Sequence, residues 1–399
     1  MAIALDDVPA LDLDPYADAF IADPYDAYDA MRCAGPVFRL VRYGCYGAAR
    51  HKEVQAALED WSHFSSAAGV SLANFKTEKP WRPPSLLLES DPPLHDRMRA
   101  IVDRVVTPKA IRPLREPFRR AAEATVDRAL ARGTIDGIKD LAEAFPLKVF
   151  PDAVGLDADG REHLLPYGDM VFNGFGPYNA RFESSLAHAK SVVPWITGKC
   201  QRAALARDSL GAQLYEAVDA GEVTDDQAAM LVRSFLSAGL DTTVAGLGAT
   251  LLLLAENPGQ WQKLRADPNL ARNAFEETLR LESPLQNLFR TTARPVELGG
   301  ARLAADQKIL LFLGSANRDP AQWHEPTRYD ITRDLQGHLA FGIGLHACVG
   351  QVIARLEAES LLGCLARRVA SIELAGPPTR RPNNAVRALD SLPLKITPA

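Results

Sequence analysis

The residue types and spacing that most constrain the chemistry lie in one loop: Phe341-Gly342-Ile343-Gly344-Leu345-His346-Ala347-Cys348-Val349-Gly350, followed by the helical run Gln351-Val352-Ile353-Ala354-Arg355-Leu356. A cysteine just ahead of a helix meets N–H groups that have no partner and the positive end of the helix dipole. Both favour the thiolate, the form of sulfur that binds metal. Gly342, Gly344 and Gly350 let the backbone turn tightly and lie close under a flat macrocycle, where a Cβ would clash. A structural zinc site would need three more ligands at short spacing, and only His346 is near. A buried inert cysteine would leave the glycines unexplained. The pattern therefore points to thiolate ligation of haem iron by Cys348.

The segment resembles the haem-binding loop of the cytochrome P450 monooxygenases. Two further stretches carry the same resemblance in the expected order: Glu277-Thr278-Leu279-Arg280 and Ala238-Gly239-Leu240-Asp241-Thr242-Thr243. The resemblance implies heme b with Cys348 as axial ligand and dioxygen as co-substrate. Asp241 would relay protons, and Thr242 would donate a hydrogen bond beside the bound oxygen. His95, Arg99, Arg290 and His346 match family positions that hold the haem propionates. Glu277 and Arg280 share a helix face and, with Arg328 from the meander, match a buried structural network rather than a catalytic one.

A closer resemblance spans nearly the whole chain. Lys79-Pro80-Trp81-Arg82-Pro83-Pro84-Ser85, Phe150 to Leu156, Val171 to Pro177, and Leu231 to Ala238 are similar to the bacterial P450 subfamily that oxidises para-substituted benzoic acids. It implies a carboxylate anchor of Ser85 and Ser234, helped by Arg82 and Arg233. Arg233 and Ser237 lie four apart, as do Ser234 and Ala238, so one helix face can carry the anchor and then lead to the haem. Phe172 and Phe175 would clamp the ring, with Leu88, Leu285, Leu288 and Ala238 completing the wall. Leu288 stands where the para-methoxybenzoate oxidisers carry Phe, which leaves space near the iron. The leading expectation is O-demethylation of 4-methoxybenzoate. No flavin, nicotinamide or iron–sulfur motif is seen, so a ferredoxin with its reductase is the expected electron source, steered by arginines such as Arg97, Arg355, Arg367 and Arg368. Two rivals are a peroxide-dependent haem enzyme and a non-catalytic haem sensor; an intact Asp241–Thr242 pair counts against both.

The elements that must position these groups read as mainly α with small β-sheets, in a single large domain over 1–399. Helical periodicity marks 25–33, 51–58, 92–105, 109–131, 138–149, 158–175, 180–205, 209–219, 226–256, 258–265, 268–281 and 350–369. Strand signals fall on Val37 to Val41, Lys308 to Phe312 and Leu392 to Ile396, and 313–340 is irregular. The helix over 226–256 would be about 45 Å long. Its centre breaks helix rules: Gly239 costs about 1 kcal/mol relative to Ala, and Asp241, Thr242 and Thr243 are polar within an apolar run. Arg233 and Asp241 exclude a membrane span. One plainer reading stays open, in which Thr242 bonds back to the carbonyl four residues earlier.

Composition sets the outer limits. Hydrophobic residues at 47% and charged residues at 24% suit a globular protein with a large core. A net charge of −5 argues against a nucleic-acid binder. Five cysteines, odd in number and irregularly spaced, do not form a disulfide framework and suggest a reducing compartment. The acidic start, with Asp6, Asp7, Asp12 and Asp14, lacks the basic and apolar regions of a secretion signal or membrane anchor. A soluble cytoplasmic enzyme is expected.

Overall fold

A computed structural model describes residues 8–399; Asp6 and Asp7 lie outside that range. Two end-to-end helices form its spine. Asp225–Ala238 begins on a capping box, in which the Thr224 hydroxyl accepts from the Gln227 amide and the Gln227 side chain accepts from the Thr224 N–H. Asp241–Glu256 continues the line, with every residue from Thr243 to Ala255 buried. A helix apolar on all sides belongs in a core. The combined stretch Asp225–Glu256 is long and apolar enough to cross a membrane, yet 78% of its most apolar window is buried inside the fold.

The single helix expected over 226–256 is therefore interrupted at Gly239 and Leu240. An added Cβ on Gly239 would lie 2.2 Å from Phe150 Cζ, so the glycine is required by the helix that packs across it. Carbonyls freed at the break still need donors. Thr242 Oγ1 donates to Ala238 O (2.9 Å) and Thr243 Oγ1 to Gly239 O (3.1 Å).

Helix Ala271–Glu282 packs against Asp241–Glu256 and against Gln351–Arg368, and the last of these also runs along Arg115–Arg132. A six-stranded sheet stands beside this helical mass, in the order Ala10–Leu11, Phe38–Leu40, Cys45–Ala48, Lys308–Phe312, Asn287–Thr292, Phe64–Ser65. Strand Asn287–Thr292 runs antiparallel to Lys308–Phe312, pairing Leu288 with Leu311 and Arg290 with Ile309. A smaller sheet joins Val369–Leu374, Pro393–Pro398 and Thr134–Asp136.

The expected class, mainly α with small sheets, is the one observed. Several long runs are broken where their sequence allows. The run 180–205 resolves into Ala180–Ala189, Val193–Lys199 with Pro194 in its first turn, and a short 3-10 turn; 209–219 splits into Leu210–Leu214 and Glu216–Asp219. The run 138–149 opens with a wide π turn, Ile138–Glu143, and continues as Ala144–Val154 across Pro151. Within 158–175 only Leu164–Asn173 is α-helical. Asn287–Thr292 was absent from the expected strands because all six of its residues are buried, and a strand covered on both faces shows no alternation.

Candidate active site

One cavity gathers side chains from along the whole chain. Its lining includes His95, Arg99, Arg290, His346 and Cys348 at one end, Thr242 beside them, and Arg82, Ser85, Leu88, Phe172, Phe175, Arg233, Ser234, Ser237, Ala238, Leu285 and Leu288 elsewhere. Of the residues expected at the site from sequence, only Asp241 does not line it.

At the cysteine end, Cys348 N–H donates to Phe341 O (2.7 Å) and closes the loop. Gly342 and Gly344 hold φ of +64° and +69°, backbone that favours glycine. A Cβ on Gly344 would also press to 3.0 Å on Glu59 Cα, so this glycine serves packing against the neighbouring helix. Gly350 has an ordinary φ of −80°, so the tight-turn reason given for it does not apply; a Cβ added there would lie 3.9 Å from Cys348 Sγ. Burial pushes the Cys348 thiol up; the amides of Gly350 and Gln351 and the charges of Arg99 and Arg355 pull the other way. Those same groups stabilise a thiolate once a metal cation balances it.

Two of the polar groups around Cys348, Arg290 and His346, have no acid partner among the described residues. Arg290 is 2% exposed and donates only to its neighbour's carbonyl, Phe289 O (3.1 Å); burial, opposed by Asp91, pushes it down to about 10. His346 Nε2 is buried without a partner, and burial followed by Arg290, His95 and Arg99 lowers this imidazole to about 3. His95 stacks edge-on against His346 at 4.6 Å between ring centroids. Arg99 donates to Ala347 O (2.8 Å) and to Asp103 Oδ1 (2.8 Å). A buried cation is costly unless an anion meets it, and a buried ring nitrogen unless it finds a hydrogen-bond partner. These groups fit the propionate end of a haem, with Cys348 placed to hold its iron.

Thr242 faces the cavity, but its hydroxyl proton is committed to Ala238 O, so the plainer reading of this threonine is realised in part. Its oxygen presents lone pairs to the cavity. It can accept a hydrogen bond there as it stands, and donate one when the hydroxyl turns from Ala238 O. Asp241, one residue back on the helix, points to another side. It is 1% exposed, its Oδ1 accepts from Arg381 Nη2 (2.5 Å), and its Oδ2 has no partner. Burial works against the Arg381 charge, but Asp241, Asp169 and Glu143 together outweigh it and hold the guanidinium protonated. Asp169 is itself raised, by burial first and by the nearby Asp241 charge. Sequence reasoning missed Arg381, which arrives from strand Thr379–Arg381, and it missed Glu357. That carboxyl is fully buried, and neither of its oxygens has a hydrogen-bond partner. Burial raises it well above the usual range, and the Thr243 hydroxyl beside it offsets only a little.

At the far end, Ser85 and Ser234 bring their hydroxyls to 3.5 Å. Ser234 donates to Met230 O (3.0 Å) and Ser237 to Ser234 O (3.2 Å). Arg233 Nη2 donates to Pro83 O (3.0 Å) and has no acid partner among the described residues. Arg82 differs, because its Nη1 donates to Glu89 Oε2 at 3.0 Å, an oxygen that also accepts from the Ser85 amide at 2.8 Å. Glu89 was also missed; its only sequence signal is its place four residues after Ser85, closing a single turn. Phe172 and Phe175 lie 5.4 Å apart between centroids, tilted by 57°, and Leu288 projects from the buried strand.

Beneath the cavity, Arg280 grips Glu277 through two bonds (2.7 and 3.0 Å), both side chains fully buried. The third member is Arg333, whose Nε lies 3.1 Å from Glu277 Oε1, and not Arg328. Arg328 reaches outward to Glu325 and contributes only its backbone carbonyl. Arg355 is also drawn inward, pairing with Glu276 and covering the Phe341 ring at 4.7 Å, and Arg368 pairs with Asp127. Arg355 is thereby turned from the surface, whereas Arg368 stays part-exposed in a surface pair. Arg97 and Arg367 are exposed and have no acid partner among the described residues.

The comparisons with known proteins agree with this geometry. A family model described as Cytochrome P450 matches residues 195–386. Cytochrome p450 CYP199A2 of Rhodopseudomonas palustris is 53% identical over 393 residues, covering 98% of this chain and 95% of that protein. The chain is a cytochrome P450. The steroid C26-monooxygenase of Mycobacterium tuberculosis is 29% identical, with 94% of each chain covered. Among solved structures, cytochrome P450 CYP109Q5 from Chondromyces apiculatus superimposes with a TM-score of 0.81 at 30% identity, covering 97% and 98% of the two chains. The cytochrome P450 CREJ complex with (4-ethylphenyl) dihydrogen phosphate gives 0.87 at 28% identity, covering 96% and 99%. Like the family, this P450 is a haem-thiolate monooxygenase that uses dioxygen.

Proposed function

We propose that this P450 oxidises para-substituted aromatic carboxylic acids, with O-demethylation of 4-methoxybenzoate to 4-hydroxybenzoate and formaldehyde as the leading reaction. One observation carries the reading: the cavity that Cys348 lines is also lined by the paired hydroxyls of Ser85 and Ser234 and by Arg82 and Arg233, with Phe172, Phe175, Leu88, Leu285 and Leu288 as apolar wall. The resemblance of the chain to the bacterial subfamily that oxidises such acids, noted from its sequence, supports it. Burying a carboxylate is tolerable only with hydrogen-bond donors waiting for it. Ser85 and Arg233 supply them, joined by Ser234 once its hydroxyl turns away from Met230 O, with Arg82 steadying the loop.

Phe172 and Phe175 hold the ring between the anchor and Thr242, which directs the para substituent toward Cys348. Cys348 is assigned as the iron ligand, with His95, Arg99, Arg290 and His346 on the propionates. Haem, when bound, supplies the oxygen activation that inserts one oxygen atom from dioxygen. Asp241, released from Arg381, would bring protons to the Thr242 hydroxyl, and the apolar wall keeps stray water from diverting them. Leu288 widens the wall at the strand, so 4-alkylbenzoates and para-substituted cinnamates join the candidate substrates. Electrons come from a ferredoxin and its reductase, met by exposed arginines such as Arg97 and Arg367. A single cytoplasmic P450 unit over 1–399 completes the reading.

Spectral titration tests it. The free acid should bind more tightly than its methyl ester or amide by roughly 10- to 150-fold, the value of a charge-assisted hydrogen bond of about 1.5–3 kcal/mol. Equal affinity for acid and ester would remove the carboxylate site. Turnover that needs reduced ferredoxin, and is not supported by peroxide alone, separates this enzyme from a peroxide-driven one.

A further inference from the structure

The anchor end holds three charges, and only two of them face the cavity. Arg82 and Arg233 line it; Glu89 stands behind the wall with its side chain 3% exposed. One oxygen of Glu89 takes both the Arg82 guanidinium (3.0 Å) and the Ser85 amide (2.8 Å). The Glu89 amide in turn donates to Ser85 O (3.1 Å), so residues 85–89 close into one turn around that carboxylate. Arg82 is therefore neutralised before any substrate arrives. Arg233 is not, since no acid pairs with it among the described residues. Arg82 and Arg233 both donate to Pro83 O, so the two guanidiniums converge on one point of the loop. Counted together, these two cations and one anion leave a single positive charge; Lys308, also near Glu89, is pushed by burial down to about 7 and is mostly neutral at about pH 8.

We propose that Glu89 is the residue that sets the charge of the acceptable head group: by neutralising Arg82 from behind the wall, it tunes the anchor to a monoanion and rejects a dianion. The proposal rests on the carboxylate-anchor reading above and adds a specificity determinant to it. Two charges of the same sign across a partly desolvated wall interact far more strongly than in water. A monocarboxylate matches the single net charge. A phosphate monoester, carrying close to two negative charges above its second pKa of about 6, brings one charge that nothing in the anchor meets and that Glu89 repels.

The test uses the haem-loaded enzyme and three ligands sharing one ring: 4-methylbenzoate, 4-methylbenzamide and 4-methylphenyl phosphate. Binding is measured at about pH 8, where the phosphate is doubly ionised, by isothermal titration calorimetry alongside the spectral shift. Glu89→Gln keeps an oxygen for the Ser85 amide and Arg82 but removes the charge. Because the electrostatic gain scales with ligand charge, a gain of about tenfold for the benzoate should become about a hundredfold for the phosphate, with the amide unchanged within about twofold. The double variant Arg82→Gln with Glu89→Gln returns the net charge to its original value and should abolish the graded gain. It also serves if the single variant does not fold. Equal changes for all three ligands would make Glu89 a purely structural brace and overturn the proposal, as would no change at all. If the wild-type protein does not distinguish benzoate from benzamide, the carboxylate anchor itself fails; if it does distinguish them and Glu89→Gln shows no grading by charge, only the role of Glu89 fails.

Discussion

Replacing Arg333 by Ala should cost the protein far more than replacing Arg328, although Arg328 is the one whose position in the sequence matches the family network. Arg333 is 13% exposed at its side chain and donates to Glu277 Oε1 at 3.1 Å, while Glu277 and Arg280 are fully buried. Its other donors hold the meander, reaching His324 O (2.6 Å), Glu325 O (3.0 Å) and Arg328 O (3.1 Å). Loss of the charge-assisted bond to Glu277 is worth about 1.5–3 kcal/mol and each carbonyl left without its donor adds about 1 kcal/mol, discounted for water reaching the rim. A total of about 3–5 kcal/mol results from these lost bonds, although Arg280 still pairs with Glu277. Arg328 pairs with Glu325 at 2.8 Å, but both are about half exposed, at 54% and 49%. Such a pair contributes roughly 0–1 kcal/mol. Guanidinium denaturation of the two haem-loaded variants, followed by circular dichroism and by the haem absorption band, measures the difference. Arg333→Ala should lose its haem band at a much lower midpoint than Arg328→Ala. Comparable losses in the two would show that Glu277 does not depend on Arg333.

The remaining predictions concern four residues. Cys348→His should abolish the long-wavelength band of the ferrous carbon monoxide complex typical of thiolate ligation; a band that persists would refute the ligand assignment. Asp241→Asn should slow turnover by about 100-fold with little change in substrate affinity, the usual cost of a lost positioned acid. Thr242→Ala should go on consuming reductant while releasing peroxide in place of product, and unchanged rate and coupling in both variants would leave them merely structural. Burial raises Glu357 well above the usual range, so the folded state keeps a proton that the unfolded chain gives up near pH 4.3. Its contribution to stability is full below that pH and is lost as pH rises toward the folded-state value. Glu357→Gln should therefore gain on the wild type by about 1.4 kcal/mol per pH unit through that window, and parallel stability curves from about pH 5 to 8 would contradict this.

The loop around Cys348 was legible in the sequence because its chemistry and its backbone needs are both local. The same is true of the anchor, where Arg233, Ser234, Ser237 and Ala238 follow helical spacing into one cavity. What escaped are partners set by tertiary approach. Asp241 takes its direction from Arg381, 140 positions later, and no periodicity announces that strand. Arg333 and Arg328 lie five residues apart in an irregular segment, where spacing does not say which side chain turns inward. The strand bearing Leu288 and Arg290 is buried on both faces and so shows no alternation. Glu89 looks like any acid in a polar loop until its single oxygen is seen holding both Arg82 and the Ser85 amide.

The break at Gly239 divides the long helix by task. Arg233 and Ser234, the helical members of the proposed acid anchor, lie in Asp225–Ala238, and Asp241 and Thr242 lie in Asp241–Glu256, with Phe150 filling the space at the joint. Two helices joined through a packed glycine do not transmit a change of side chain as one continuous rod would. Mutations at Arg233, Ser234 or the facing Leu288 can accumulate while the acid and the hydroxyl keep their register. A lineage built on this joint can exchange substrates one residue at a time and remain an oxygenase at every step.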